Sequence, residues 1–209
     1  MRPGWRARRR LGPGARRGVA GLALALLAAA PALAAEVLDP VKVAEVEAAF
    51  LVNFLRYTEW PAGSFAAADA PYVVTVVGSD AVAVSLAAIA ERAQSVAGRR
   101  LEVRRTDLPR QGSAQWRRLA EDLRRSHLVF LGETAAARVP DLLAEVAGSD
   151  VLTVGDLPRF AAAGGMIGLR RAGSRIVFEA NPEAIRQTRL VVSARVLKLA
   201  RIVERRPGP

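Results

Sequence analysis

Carboxylates, arginines and one tryptophan are the side chains whose positions in this sequence suggest chemistry. Asp156 follows the apolar run VLTV at 151–154. A carboxylate just past the carboxyl end of a buried strand lies where ligands gather in open α/β sheets. The plainer reading makes Asp156 the cap of a short helical turn over 156–163. Arg170, Arg171 and Arg175 bracket the turn Ala172-Gly173-Ser174. Three guanidinium groups on one hairpin offer an anion or partner contact, or simply the charged face that stops an edge strand from pairing further. Glu59-Trp60-Pro61 closes a helical stretch. Trp60 brings a wide apolar surface with one donor at its rim. It either locks the first helix to the sheet or, with Glu59, borders a ligand or partner surface.

These groups do not add up to a catalytic set, and no catalytic residue is expected. Gly78 is followed by Ser79 and Asp80, not by the glycine spacing that cradles a pyrophosphate. The chain has neither a P-loop nor a G-x-S-x-G elbow. Glu121 and Asp122 are adjacent on a helix and point apart, while Glu145 and Asp150 flank a turn. The single histidine, His127, opens an apolar strand and reads as a packed or capping side chain rather than a general base. With no cysteine in 209 residues, thiol catalysis, thiolate metal sites and disulfides are excluded. One histidine also argues against a zinc or copper centre within one chain. No metal and no cofactor are expected.

The elements that must position these groups follow from periodicity. Residues 41–57 read as a helix, with Val43, Val46, Phe50, Phe54 and Tyr57 three and four apart. Pro61 then ends it. Short β-branched or apolar runs at 72–77, 101–105, 127–131 and 151–154 alternate with amphipathic stretches at 82–93, 115–124 and 135–147. Segments 166–170 and 175–178 read as a hairpin, and 182–187 and 190–203 as helices. Strands alternating with helices point to an α/β three-layer sandwich: a mostly parallel sheet, helices on both faces and an antiparallel edge hairpin.

The last of these helices bears on assembly. Val192, Val196, Leu199 and Val203, with Leu190, Ala194 and Leu197, would cover well over half of its circumference. A helix facing one core needs a narrower stripe. It is either wedged between two layers of its own domain or, through Val192, Val196, Leu199 and Val203, offers a dimer face.

Residues 1–34 carry the marks of a cleaved export signal. Seven arginines and no acid precede an apolar run at 19–30, and Ala32-Leu33-Ala34 is the small-x-small pattern cut by a signal peptidase. An uncleaved anchor is the alternative. Arg16-Arg17 sits where a twin-arginine signal places its pair, although its flanks do not favour that route. The formal charge of +11 includes those seven of the 31 basic residues; the remaining 24 face 20 acids, a net of +4. So weak a basic surplus does not suit a nucleic-acid binder. Residues 35–204 form one expected domain, with a frayed tail at 205–209.

Two blocks carry a family resemblance. One is AAFLVNFLRYTEWP at 48–61. The other runs from VLTVGD at 151–156 through Phe160-Ala161, GGMI at 164–167 and FEAN at 178–181 to LVVS at 190–193, with Arg195 and LKLA at 197–200. Together they resemble the YfiR-like family of exported bacterial proteins. The resemblance implies a compact, often dimeric α/β sandwich in the periplasm. It further implies a non-enzymatic inhibitor of an inner-membrane diguanylate cyclase, bound to the cyclase's periplasmic sensor region, with an outer-membrane lipoprotein able to draw it away. Better-known members carry disulfides tied to redox control, which a cysteine-free chain lacks. A periplasmic small-molecule sensor module feeding a histidine kinase or an outer-membrane uptake system is the alternative expectation.

Overall fold

A computed structural model of the chain describes residues 39–204; the expected signal peptide and the 205–209 tail lie outside them. Helix α1 (Pro40–Arg56) starts where Asp39 accepts a hydrogen bond from the Val41 amide at 3.0 Å, with Pro40 in the first turn. Its core stripe is rotated from the one read in the sequence. Val43, Ala44, Glu47, Ala48, Leu51, Phe54 and Leu55 are buried, while Val46 and Tyr57 are exposed. After α1 the two-residue strand β1 (Thr58–Glu59) breaks away from the main sheet.

Then come β2 (Tyr72–Val77), α2 (Asp80–Arg92), β3 (Leu101–Thr106), α3 (Ala114–Arg124), β4 (Leu128–Leu131), a 3-10 turn (Glu133–Arg138), α4 (Val139–Glu145) and β5 (Leu152–Gly155). The hairpin β6 (Ile167–Ala172) and β7 (Arg175–Ala180) leads to α5 (Pro182–Arg186), β8 (Val191–Val192), α6 (Ala194–Leu199) and β9 (Arg201–Ile202). Seven strands lie in the order β3-β2-β4-β5-β6-β7-β9, parallel except for the β6–β7 pair. β1 and β8 make a separate antiparallel pair.

Both sheet faces are covered. Leu128 and Phe130 of β4 face a core shared with α1 and α2, and Val129 and Leu131 face a second core with α3 and α4. That two-sided burial explains the unbroken apolar runs of β2, β4 and β5.

Three expected helices are altered. The 135–147 segment breaks into a 3-10 turn and α4, because Pro140 has no amide to continue the first turn into the second. Residues 156–163 form successive turns rather than a helix; Arg159 adopts a left-handed φ of 60°, incompatible with a helical run. The 190–203 helix shrinks to the six residues of α6 between two short strands. Its ends are taken by other partners, with Ser193 N–H donating to Tyr57 O at 2.8 Å and Val203 N–H to Ala180 O at 2.9 Å. The apolar wheel that looked too wide for one helix is therefore two strand ends and one helical turn. Val192 and Val196 are buried in the domain's own core, Leu199 is 79% exposed and Val203 is half-buried, so the four do not share one face. No described helix is long and apolar enough to cross a membrane.

Asn181 joins the hairpin to the turns below it. It is fully buried; its amide donates to Ala161 O at 2.8 Å, and its carbonyl accepts from Ala184 N at 3.0 Å to cap α5. Asn181→Ala removes both bonds and strands a buried carbonyl. The expected loss is about 3 kcal/mol, read as a lower midpoint in urea with an unchanged m value.

Candidate functional site

Ligands in open α/β sheets enter at the carboxyl edge where strand order reverses, here between β2 and β4. That crevice is closed. A Cβ placed on Gly132 would lie 2.5 Å from Ser79 Cβ and 2.6 Å from Gly78 O, so the loops after β2 and β4 touch at the backbone. Gly132 N–H donates to Val77 O at 2.8 Å and ties them together.

The open space lies further along the same edge. β6 starts level with the end of β5, Val154 pairing with Ile167 and Gly155 with Gly168, so Leu169 to Ala172 project beyond the sheet. Under that overhang is an open cleft of about 1150 Å³. Its floor and walls bring together Glu47 of α1, Asp156 after β5, Arg170 and Arg171 of β6, Glu179 of β7 and Arg201 of β9. Leu157, Pro158, Leu169 and Ile202 supply apolar surface.

The charges fall into two groups. Glu179 is largely buried and has Arg170 at 3.3 Å and Arg201 at 3.6 Å. The strand register makes this set: Gly168 pairs with Glu179, which pairs with Arg201, and side chains two residues apart on β6 share a face. Arg171 falls on the opposite face, with Ile167 and Leu169, toward α1. There Glu47 is 5% exposed and makes no hydrogen bond among the described residues. Burial raises its pKa to about 7; the Asp156 charge adds to the rise and Arg171 opposes it. Burial also raises Asp156, to about 6, with its own backbone amide lowering it, Glu133 raising it and Arg171 lowering it.

Asp156 thus sits at the strand end as expected but caps nothing. No helix follows it, and its Oδ1 is buried without a partner among the described residues. Arg170 and Arg171 join it in the cleft. Arg175 does not line it: it is exposed beside the hairpin turn, opposite Ala172. Glu59 and Trp60 lie at the other end of the sheet. Trp60 donates to Asp150 O, just before β5, at 3.1 Å, and its ring packs 5.3 Å from Tyr72 at the start of β2. His127 stacks on Phe65 at 4.3 Å, accepts from Val73 N–H through Nδ1 at 3.0 Å and donates from Nε2 to Ser64 O at 3.2 Å. That is a neutral, fully engaged imidazole, and burial lowers its pKa.

Glu47, Glu179, Glu133 and Arg201 were not picked out by sequence reasoning. For Glu47 a signal existed: it stands four residues after Val43 and four before Leu51, a charge inside the apolar stripe. Glu179 and Arg201 come together only through strand register, and Glu133 reaches the cleft from the 3-10 turn after β4; the sequence pattern reveals neither.

The family model for DUF4154, described as YfiR/HmsC-like, matches residues 44–201. A crystal structure of a conserved domain protein from Vibrio cholerae superposes with a TM-score of 0.53 at 13% identity, covering 76% of this chain. This chain spans 59% of the Vibrio protein's length, and the likeness shows the fold alone. YbdL from Escherichia coli, a methionine aminotransferase, gives a TM-score of 0.32 at 15% identity over 63% of this chain and 44% of its own, too distant to carry an argument. No curated protein matches.

Proposed function

Because the chain belongs to the YfiR/HmsC-like family, we propose that it is a non-enzymatic periplasmic binding protein that inhibits an inner-membrane diguanylate cyclase through the cyclase's periplasmic sensor region. The family is one of periplasmic regulators. The observation that carries a binding role is the make-up of the cleft. Its lining mixes carboxylates, guanidinium groups and apolar carbon in an open, charged concavity suited to holding another molecule. The projecting end of the hairpin carries exposed Arg171 on one face and exposed Arg175 on the other, a shape suited to an acidic partner that wraps around the tip. Inhibition then requires only that the protein bind one conformation of the cyclase more tightly than the other. A homodimer, and an outer-membrane lipoprotein that competes for the inhibitor, belong to the same proposal.

Deleting the gene is expected to raise cyclic di-GMP and biofilm mass, and the wild-type gene to restore both. The Arg171→Ala/Arg175→Ala variant is expected to fold, with an unchanged circular dichroism spectrum, yet restore neither. Unchanged cyclic di-GMP after deletion under several growth conditions sinks the proposal. The size of the cleft favours a second reading, a sensor module feeding a histidine kinase or outer-membrane uptake system. A metabolite that raises the melting temperature in step with its concentration, in a strain whose cyclic di-GMP ignores the deletion, decides for it.

A further inference from the structure

We propose that the floor of the cleft is a receptor for a primary ammonium group, held between the carboxylates of Glu47 and Asp156. Two acceptors there lack donors. Glu47 is more than nine-tenths buried, lines the cleft and has no hydrogen-bond partner among the described residues. Asp156 Oδ1 is buried and likewise unpartnered. Asp156 Oδ1, buried without a donor, loses its hydration and gains nothing in return, while Glu47 keeps only the little hydration that 5% exposure allows. Both line the same cleft, Glu47 from α1 and Asp156 from the end of β5, and the Asp156 charge acts on Glu47.

The surroundings decide what that donor is. Arg170 and Arg201 are occupied by Glu179 on the other face of the hairpin. Arg171 and Glu133, the charges that act on the pair, are both exposed at the mouth, and so is Arg159. The floor is therefore acidic and the mouth mixed, which draws a cation inward. No group of three or more His, Asp or Glu residues able to hold a metal ion exists among the described residues. A metal needs more ligands than this floor supplies, whereas an ammonium with three donors is satisfied by two carboxylates and a water. The raised carboxyl pKa values agree, since a bound cation would reverse that rise. The inference rests on the cleft alone, independent of any cyclase.

The ammonium can belong to a free small amine or to a lysine side chain of a partner. The test is calorimetric titration of the purified protein at pH 8 with 1,4-diaminobutane, with N-acetyl-lysine amide and with tetramethylammonium, at matched ionic strength. Saturable binding of either primary amine, none of tetramethylammonium, and a loss of about tenfold or more in both Glu47→Gln and Asp156→Asn is the expected result. Binding of the diamine alone assigns the site to a small molecule; binding of both admits a partner's lysine. Equal binding of tetramethylammonium, undiminished binding in both variants, or no binding of either primary amine overturns the proposal. None of these results bears on whether deletion raises cyclic di-GMP, so the two proposals fail separately.

Discussion

Glu47→Gln is expected to stabilise the protein by about 2 kcal/mol at pH 8 and to leave it unchanged near pH 4. A glutamate whose pKa rises on folding, here from 4.5 to about 7, is bound to a proton more often in the native than in the unfolded chain across that interval. Stability therefore falls as pH climbs from about 4.5 to about 7 and is flat above it. Asp156 behaves alike between 3.8 and about 6. Glutamine removes the charge and keeps the shape, so the variant should escape most of the decline. Urea denaturation at several pH values reads it directly. A variant whose stability parallels that of the wild type from pH 4 to pH 8 would show that Glu47 is not the buried acid described above.

His127 works against this trend. Burial lowers its pKa, with Arg99 adding to the fall and the Ser64 carbonyl opposing it. Below about 6.5 the unfolded chain binds the proton the native imidazole refuses, and stability drops as pH falls. The wild-type profile is thus the difference of two opposed slopes, and only the single variants separate them. Glu47 and Asp156 should also be non-additive, because Asp156→Asn removes part of what raises Glu47.

The parts that sequence pattern foretold are those where one local rule acts alone. YVVTVV at 72–77 is buried on both faces and became β2 residue for residue. Ser79, Ser113 and Asn181 cap their helices through the side chain by an equally local rule, one that the reading of the sequence did not use. The misreadings occur where long-range pairing overrides periodicity. Val191-Val192 and Arg201-Ile202 sit in an apolar pattern that suits a helix, yet Thr58-Glu59 and Glu179-Ala180 offer strand edges that claim them. The cleft shows the same division. Asp156, Arg170 and Arg171 follow from local position, whereas Arg175 falls outside the cleft and the Glu179 ion pairs depend on three strands meeting in register. Glu47 was accessible in principle, but the stripe was drawn through Val46 instead.

Gly165→Ala is expected to destabilise the protein by about 3 kcal/mol, lowering the melting temperature by roughly 6–12 °C. The cause is the ring of Phe160, which is 1% exposed. A Cβ on Gly165 would lie 2.1 Å from Phe160 Cε1, and one on Gly155 would lie 2.8 Å from Phe160 Cδ2. The ring is clamped between two glycines and cannot yield, because its core also holds Leu142, Val151 and Leu157. The clamp fixes more than packing. Gly155 ends β5, Gly165 leads into β6, and the turns between them carry Asp156, Leu157 and Arg159 to the cleft. Opening the clamp should therefore disturb the floor as well as the core. Phe160→Leu alone leaves a cavity and is itself destabilising, yet it gives the new methyl room. In the pair Gly165→Ala/Phe160→Leu the two losses should fall short of their sum by about 1 kcal/mol or more. Strict additivity in denaturation midpoints would mean that the ring moves freely, and that the floor of the cleft is held by something other than this contact.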